Sequence, residues 1–402
     1  MIYLFYSSNI MGGAEYLIIN CANILVGKGL EVGIIDYPNG WVVSNISNPL
    51  IQKRYIFQGE KIRLDEDDII ITTANNMYKL DNLFFESNAK VLFWTVQPYN
   101  VVLKLPYFLS TNKFFKVLGE MYLNKKIKYH KNNLELILNK NGIVSMDDEC
   151  NKILKNTYNI SYKNFLPIFI DFNKFRKGNY VCEDKDVINI VWLGRIDLEF
   201  KIYILKKLLL DLEKVNSKFK SKFVFNIIGC GPGLENLKNF TKENISFKVN
   251  FLYELKDSEL DVVLEKSDIG FAMGTSALDI SAKRVPTILV DFSYKDIFYY
   301  KYRWIFETNN YTLGRDIDFL SDSEIDSMKT LNSIFSELQE NNKLLADLCF
   351  KYTYENHCSI NVGSKLIKYA FNTELTLNDI YKYSSVKPIW SKFNHYLKRG
   401  RA

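Results

Sequence analysis

The sequence predicts an α/β protein with two doubly wound domains, each built on a mainly parallel sheet. Short apolar, β-rich runs alternate with longer amphipathic segments at IYLFY (2–6), VGIID (32–36), DIIIT (68–72), KVLFWTV (90–96) and GIVSM (142–146). The alternation begins again at VINIVWL (187–193), FVFNIIG (223–229), DIGFAM (268–273) and PTILVDF (286–292). Alternating strand and helix patterns favour parallel sheets covered by helices, and the restart indicates a second domain.

Chain length and the polar segment between the two sets of runs support this division. The chain has 402 residues, of which 47% are hydrophobic, enough for two cores. The segment DFNKFRKGNYVCEDKD is polar and mixed in charge, as linkers are. We therefore expect an N-terminal domain over 1–170, a linker over 171–186, a second domain over 187–375, and a helical tail over 376–402 that crosses back to the first domain.

Composition narrows the class of protein. The six Cys lack the paired spacing of a disulfide framework or a zinc site, which fits a reducing cytoplasm. No signal peptide and no run of about 20 apolar residues is evident. The net charge of +6 is mild, and the basic residues form no RNA or DNA motif. We expect a cytoplasmic protein, soluble or peripheral to a membrane, with no nucleic-acid partner and no bound metal.

The stretch MGTSALDISAKRVPTILVD (273–291) is a candidate ligand-binding segment. A strand-like run breaks at Gly274, and Thr275 and Ser276 then open a helix. The first N–H groups of a helix lack intrahelical partners and favour an anion. Alternatively, Ser276 and Asp279 have the spacing of a capping box, in which Asp279 bonds back to the start of its own helix.

Three other Gly-containing turns follow predicted strands. Gly12-Gly13 allows either close approach of a ligand or a tight turn into a helix. Gly194 is followed by Arg195 and Lys201, two cations that can hold a diphosphate or be solvated. NIIGCGPGLENLK (226–238) matches a dinucleotide fingerprint only in part, so a structural turn is the favoured interpretation.

Taken in order, these motifs resemble a GT-B glycosyltransferase, most like glycosyltransferase family 4 and its bacterial capsule and O-antigen relatives. The motifs are GGAE (12–15), GRIDLEFK (194–201), IIGCGPGLENL (227–237), GTSALDISAKRVPTILVD (274–291) and YKYRWIFETNNYTLG (300–314). The resemblance implies two Rossmann-like domains facing a central cleft. It also implies transfer of a sugar from a nucleotide-sugar, bound mainly by the second domain, to a saccharide acceptor held mainly by the first.

The resemblance carries site residues over one by one. Arg195 and Lys201 match the basic pair that binds the diphosphate and serves catalysis. The donor-binding set implied by the resemblance is Gly12, Gly13, Gly194, Gly274, the phosphate-facing Thr275 and Ser276, the ribose-binding position Asp279, and Tyr253 and Leu255 near the nucleobase. Gln97 and Asn100 are the acceptor-side candidates. The nucleotide-sugar is a substrate, and no cofactor is expected.

The sequence departs from the family in four places, one of which is an extra residue between Arg195 and Lys201. The first Glu of the family's two-Glu motif falls on Phe271, and its second falls on the shorter Asp279. Gln97 stands where relatives often carry His. In retaining enzymes of this fold the departing phosphate is thought to take the acceptor proton, so a missing His is tolerable. Helix dipole and Arg/Lys charge are expected to replace Mg²⁺.

A basic, aromatic stretch over 99–131 indicates a membrane-facing surface. It carries seven Lys against the single Glu120. Cations and aromatics together suit an anionic bilayer surface, which would bring the enzyme to a lipid-linked acceptor at the inner face of the plasma membrane. The lysines chosen for this surface are Lys113, Lys116, Lys125, Lys126 and Lys128. The alternative is a solvated helix pair whose aromatics pack into the core.

Two other functions remain open from the sequence. A non-catalytic nucleotide-sugar-binding or scaffold subunit of a polysaccharide assembly complex is motivated by Phe271 and Gln97. A dinucleotide oxidoreductase is disfavoured because neither Gly-rich turn has the complete fingerprint with a suitable acidic residue downstream.

Overall fold

The structure is a computed structural model, and it describes residues 1–8, 12–102, 127–172, 186–219, 222–255 and 257–384. The chain divides into two compact units. The first unit comprises Met1–Ile168 together with the chain from Val362 onward, and the second comprises Phe169–Asn361. Most of the predicted linker and most of the predicted tail lie outside the described residues.

The first unit contains a six-stranded parallel sheet in the order β3-β2-β1-β4-β5-β6. Its strands are β1 (Ile2–Phe5), β2 (Val32–Asp36), β3 (Gln52–Tyr55), β4 (Ile69–Thr73), β5 (Lys90–Thr95) and β6 (Ile143–Ser145). Its first helices are α1 (Gly13–Gly27), α2 (Trp41–Asn45), α3 (Leu80–Leu83) and α4 (Asp148–Tyr158), and residues 127–139 are also helical.

The second unit contains another six-stranded sheet, in the order β12-β11-β10-β7-β8-β9, parallel except for β12. Its strands are β7 (Val187–Leu193), β8 (Lys222–Ile228), β9 (Lys248–Leu252), β10 (Ile269–Ala272), β11 (Thr287–Leu289) and β12 (Arg303–Trp304). Its helices are α5 (Lys201–Asn216), α6 (Leu234–Asn244), α7 (Asp257–Glu265), α8 (Thr275–Ala282), α9 (Asp322–Asp326) and α10 (Leu331–His357). The two sheets confirm the predicted α/β class.

The central strands form because their sequences are apolar on both faces. Every residue of the interior strands β1, β2, β4, β10 and β11 is buried, as expected for strands with helices on both sides of the sheet. In contrast, β3 has the sequence QKRY and lies at the sheet edge with most of its residues exposed. The exposed edge strand β3 is therefore polar, whereas the edge strands β6 and β12 are buried.

The chain returns to the first unit through two helices, α11 (Ser359–Asn372) and α12 (Leu377–Ser384). Leu375, Leu377 and Ile380 are buried in the hydrophobic core of that unit. The predicted crossing back of C-terminal helices is therefore confirmed. It begins earlier than the expected residue 376, because the buried Val362 already belongs to the first unit.

Within the described parts of the chain, no helix is both long and apolar enough to cross a bilayer.

Candidate functional site

The order of strands in the second unit places a switch point between β7 and β10. The chain leaves β7 toward β8 and β9 on one side, then returns to form β10 and β11 on the other side of β7. The connections that follow β7 and β10 therefore diverge, and ligands of open α/β sheets bind at the carboxyl ends of the strands at such a point. Seven of the predicted site residues follow these two strands: Gly194, Arg195, Lys201, Gly274, Thr275, Ser276 and Asp279.

After β10, only Met273 and Gly274 precede α8, which begins at Thr275. Gly274 is the N-cap of α8, at φ 62° and ψ −141°, a backbone conformation that residues other than glycine rarely adopt. A Cβ at Gly274 would meet nothing within 4 Å, so the space beside the helix start is open. The first N–H groups of α8, on Thr275 and Ser276, lie at this open end, which favours an anion.

The capping-box alternative for Ser276 and Asp279 does not hold. Ser276 is the second residue of α8 rather than its cap, and no side chain caps the helix. Asp279 lies four residues after Thr275 and three after Ser276, on the same face of the helix. It is half-buried. Its predicted contact with a ribose stays a prediction.

After β7, Gly194 leaves a space bordered by three side chains, one of them Trp192, whose Nε1 would lie 3.7 Å from a Cβ built there. A Cβ built on Gly194 would lie 3.7 Å from Lys201 Nζ and 3.9 Å from Ser276 Oγ. Gly194 itself has φ 150°. The ammonium of Lys201, from the connection after β7, and the hydroxyl of Ser276, from the helix after β10, therefore meet at the switch point. Both groups donate hydrogen bonds to anions.

Lys201 is the first residue of α5, and its side chain is largely out of water. Burial lowers the pKa of the Lys201 ammonium, the carboxylate of Asp197 raises it, and the guanidinium of Arg195 lowers it. A partly desolvated cation gains more from an anionic ligand than an exposed one, because water screens the interaction less. An anion bound here would therefore be held by a side chain that has already lost much of its hydration.

Arg195 and Asp197 lie between Gly194 and Lys201 in the sequence, and their side chains form a loose ion pair. Arg195 Nη2 is 3.8 Å from Asp197 Oδ2, and the Arg195 side chain is 64% exposed. Asp197 Oδ1 accepts the N–H groups of Phe200 at 2.9 Å and Lys201 at 3.0 Å, which fixes the start of α5. Asp197 Oδ2 is buried without a hydrogen-bond partner among the described residues. Asp197 was missed at the sequence level, although an Asp just before a helix start is a capping signal.

The Gly-rich turn after β8 has a packing role. A Cβ at Gly229 would lie 2.2 Å from the carbonyl oxygen of Gly194, and one at Gly231 would lie 2.2 Å from that of Ile196. Ile196 N–H donates to Cys230 O at 2.9 Å, and Gly233 N–H donates to Ile196 O at 2.9 Å. These glycines let the two connections lie against each other, as the structural interpretation predicted, and so hold the segment that carries Arg195.

Tyr253 and Leu255 follow β9, two strands away from β7 in the sheet. Tyr253 is exposed, and its hydroxyl accepts from Lys238 Nζ at 3.2 Å. The structure therefore places the predicted nucleobase segment at the same carboxyl edge as the phosphate candidates, but on the β9 side of the switch point. Its role toward a base stays a prediction.

The remaining candidates lie in the first unit. Gly12 is the N-cap of α1, and a Cβ there would lie 2.7 Å from Glu15 Oε2, whereas a Cβ at Gly13 would meet nothing within 4 Å. Gln97 is exposed. Asn100 Oδ1 accepts the N–H groups of Val96 at 3.1 Å and Gln97 at 2.9 Å, so this oxygen shapes the turn after β5.

The basic stretch is described only at its end. Lys113, Lys116, Lys125 and Lys126 lie outside the described residues, and Lys128 is exposed on the helical segment 127–139. His130, in the same segment, is buried between Val101 O and the hydroxyl of Tyr78. Burial lowers the pKa of His130 to about 4, so it is neutral at physiological pH.

Position 271 explains one departure from the resemblance. Phe271 lies inside β10, and its buried ring packs edge-on against Tyr302, with centroids 6.1 Å apart. The two-residue connection between β10 and α8 leaves no loop that could present a Glu in its place.

A buried ion cluster behind the site was also missed. Asp291 accepts from Arg303 Nη1 at 2.6 Å and Nη2 at 2.9 Å, and from Arg315 Nη2 at 2.9 Å. Burial alone would raise the pKa of Asp291, but the charges of Arg303 and Arg315 outweigh it and hold the pKa at about 2. The cluster ties β12 and the 315 segment to the end of β11. No local sequence spacing indicates it, because its members lie 12 and 24 positions apart.

No protein-family model matches the sequence, and a search of curated proteins found no match. Solved structures do resemble it. The apo form of the lipopolysaccharide outer core galactosyltransferase WaaB superposes with a TM-score of 0.54 at 12% identity, over 92% of this chain and 99% of that one. HepE from Anabaena, in complex with UDP-glucose, superposes with a TM-score of 0.52 at 10% identity, over 91% of this chain and 98% of that one. WaaG, a glycosyltransferase involved in lipopolysaccharide biosynthesis, gives 0.50 at 10% identity over 92% and 99%. At these identities the likeness shows the fold, and the chain has the GT-B fold.

Proposed function

We propose that this chain is a glycosyltransferase that moves a sugar from a nucleotide-sugar donor to a saccharide acceptor. The convergence of Lys201 Nζ and Ser276 Oγ on the space left by Gly194, at the open start of α8, carries the proposal. The diphosphate of a nucleotide-sugar is an anion of the kind that a helix N-terminus with a desolvated cation binds.

The same groups suit the chemistry of transfer. As the sugar departs, negative charge develops on the diphosphate that remains. Lys201, the N–H groups of Thr275 and Ser276, and the exposed guanidinium of Arg195 provide positive charge at that position. In this proposal they take the place of a metal ion, and the protein otherwise orients the reactants. By its resemblance to family 4, the enzyme retains anomeric configuration, with the leaving phosphate accepting the acceptor proton.

The rest of the proposal assigns partners to the remaining candidates. Asp279 contacts the ribose, and Tyr253 and Leu255 contact the nucleobase. In the first unit, Gly12 and Gly13 face the donor. Gln97 and Asn100, also in that unit, contact the acceptor. The acceptor is a lipid-linked saccharide in the synthesis of a bacterial surface polysaccharide such as capsule or O-antigen. Support comes from neighbours of the same fold, one acting on lipopolysaccharide outer core and one in complex with UDP-glucose.

The test is a donor screen followed by a transfer assay. Purified protein is titrated with UDP-, GDP- and CMP-sugars in a thermal-shift experiment, since a ligand that binds the folded state raises apparent stability. The donor that binds is then supplied with lipid-linked saccharide acceptors, and sugar transfer is followed by mass spectrometry. A chain that binds none of these nucleotide-sugars contradicts the proposal.

A second candidate is a nucleotide-sugar-binding subunit without transferase activity. It is favoured by the short connection between β10 and α8, which has no place for the Glu that the resemblance leads one to expect. Donor binding without transfer or donor hydrolysis, across lipid-linked and free acceptors, would support this second candidate over the first.

We also propose that the enzyme works at the inner face of the plasma membrane, as a peripheral protein. The proposal is supported by the seven Lys of the 99–131 stretch, each contributing about 1 kcal/mol near an anionic surface. Vesicle co-sedimentation, with and without anionic lipid, compares wild type with a variant in which Lys113, Lys116, Lys125, Lys126 and Lys128 become Gln. Equal pelleting of the two proteins, or none by either, rules the idea out.

A further inference from the structure

Three aromatic rings lie beside Lys201 at the carboxyl edge of the second sheet. Phe200 is 5.6 Å from Phe292 and 6.1 Å from Tyr294, and Phe292 is 5.9 Å from Tyr294, all between ring centroids. Lys201 Nζ lies 5.9 Å from the Phe200 centroid. Tyr294 is 52% exposed, so the cluster presents ring surface to solvent next to the ammonium. We call Phe200, Phe292 and Tyr294 the aromatic cluster.

Three carboxylates act electrostatically on the exposed ring of this cluster. Burial raises the pKa of the Tyr294 hydroxyl, and the negative charges of Asp316, Glu199 and Asp197 raise it further. Asp197 is 5% exposed, and its Oδ2 has no hydrogen-bond partner among the described residues, although Arg195 Nη2 lies 3.8 Å away. A buried carboxylate oxygen without a donor is costly unless a ligand supplies one.

The cluster and its carboxylates select for a particular chemistry. Aromatic faces stack on the apolar faces of other rings, and carboxylates accept hydrogen bonds from hydroxyl groups. Ring faces and ionised carboxylates offer a phosphate no hydrogen-bond donor, whereas an uncharged ring rich in hydroxyl groups satisfies both features. The ligand chemistry that fits is a sugar ring.

The order of strands separates this cluster from the predicted base segment. The phosphate candidates lie between β7 and β10, the base candidates follow β9 on one side, and Phe292 and Tyr294 follow β11 on the other. A nucleotide-sugar has the same order, with the base and ribose at one end, the diphosphate in the middle and the sugar at the other end. From this correspondence we infer that the aromatic cluster binds the sugar moiety of the donor, an inference that rests on the proposed function.

The experiment compares each nucleotide with its own nucleotide-sugar by calorimetric titration. The matched pairs are UDP with UDP-glucose and GDP with GDP-mannose. Tyr294→Ala is expected to weaken binding of the nucleotide-sugar roughly two- to tenfold and leave that of the nucleotide unchanged, the range expected for loss of one ring contact. Tyr294→Phe retains the ring and should bind both like wild type.

A control and a second variant keep the result clear. Phe298→Ala removes a ring that is 94% exposed in the same connection, and it should change neither affinity. Tyr294→Leu, which retains apolar bulk, should reproduce the loss seen with Tyr294→Ala and serves if the Ala variant unfolds. Equal weakening of nucleotide and nucleotide-sugar, or no weakening of either, overturns the assignment of the sugar. Failure of wild type to bind any nucleotide-sugar of the donor screen, UDP-, GDP- or CMP-linked, overturns the proposed function as well.

Discussion

The two units contain parallel sheets of the same kind, yet the switch points of the two sheets differ in charge. In the second unit a partly desolvated ammonium and a helix start meet between β7 and β10. In the first unit the switch point lies between β1 and β4. There Thr72 Oγ1 donates to Phe5 O at 2.7 Å, Asn76 Nδ2 donates to Thr72 Oγ1 at 2.9 Å, and Glu15 is buried near the start of α1. The fold thus supplies two equivalent edges, and among the residues that the structure describes the second unit has an ammonium at this edge where the first has a buried carboxylate.

Buried carboxyl groups in the two units also differ, in their pKa values. Asp291, in the second unit, is paired with two guanidinium groups and has a pKa of about 2. Asp147, in the first unit, caps α4 by accepting the Cys150 N–H at 3.0 Å. Burial raises the pKa of Asp147 to about 7, and the neighbouring Glu149 and Asp148 add to the effect. Asp291 is thus held as an anion across the ordinary pH range, whereas Asp147 takes up its proton as pH falls through about 7.

The largest expected effect is on stability, from Asp291→Ala. Removing the carboxylate leaves Arg303 and Arg315 buried without their counter-ion, which costs about 3–5 kcal/mol in the free energy of unfolding. The free energy is measured by urea denaturation. Asp326→Ala is the matched control, because Asp326 pairs with Lys301 at 3.1 Å but is exposed. Similar losses for the two variants would show that the buried cluster adds nothing special.

The Asp291 effect should also depend on pH. Because the folded pKa of about 2 lies below the ordinary value of 3.8, the ionised form stabilises the fold. This contribution is fully present above about pH 4 and is lost as pH falls toward about 2. The difference between wild type and Asp291→Ala is therefore expected to shrink across that interval.

The next effect is on donor binding, from Lys201→Ala. Loss of a charge-assisted contact of about 1.5–3 kcal/mol lowers affinity for the nucleotide diphosphate roughly 10- to 150-fold and lowers transfer with it. Arg195→Ala is expected to act in the same direction with a smaller effect, because that side chain is largely exposed. Lys214→Ala, an exposed Lys on the same helix, is the control. Affinities like that of wild type in the Lys201 variant would remove the basis of the proposed function.

A smaller effect is expected from Asp147→Asn. The raised pKa of Asp147 means that wild-type stability falls as pH rises from about 4 to about 7, since the folded state must give up a proton that it holds tightly. Asn caps helices well and has no proton to lose. The variant should therefore be more stable than wild type at pH 8, by about 1 kcal/mol or more, and much less so at pH 4. Parallel stability curves would contradict the expectation.

The smallest effect is expected from Asp279→Glu. If Asp279 meets the ribose, the longer side chain preserves or improves donor affinity, measured by calorimetric titration. If Asp279 serves only α8, the change is nearly silent in affinity. Asp279→Ala separates the two cases, because a ribose contact is then lost and donor affinity falls.

Much of the fold was predictable because buried parallel strands are continuous apolar runs. The nine predicted strands all occur, from β1 to β11, with small changes at their ends. Three strands lie outside these nine runs, and all three lie at sheet edges: β3, a polar QKRY, β9, KVNFL, and β12, only two residues long. Edge strands need neither an apolar run nor alternation, so their pattern does not separate them from loops.

The site was predictable where its parts are local. Glycine followed by hydroxyl residues indicates a helix start, and this pattern predicted Gly274 and Ser276 as site residues. A cation after a strand predicted Lys201. The aromatic cluster was not predictable, because Phe200 and Tyr294 meet only when β7 and β11 enter the same sheet. The place of Phe271 inside β10 likewise required the strand boundary, which sequence patterns set only to within a few residues.

The return of α12 to the first unit determines the order in which the molecule can be completed during synthesis. Thr373 Oγ1 donates to Val91 O at 2.9 Å, and Val91 N–H donates to Leu375 O at 2.8 Å, so the first sheet acquires its last partners nearly 300 residues after β5 is made. The second unit is contiguous in the chain and is synthesised in between. At about 5–20 residues per second, the first unit waits on the order of ten seconds or more for its closing segment. The second unit can therefore mature on the ribosome before the unit that precedes it in sequence.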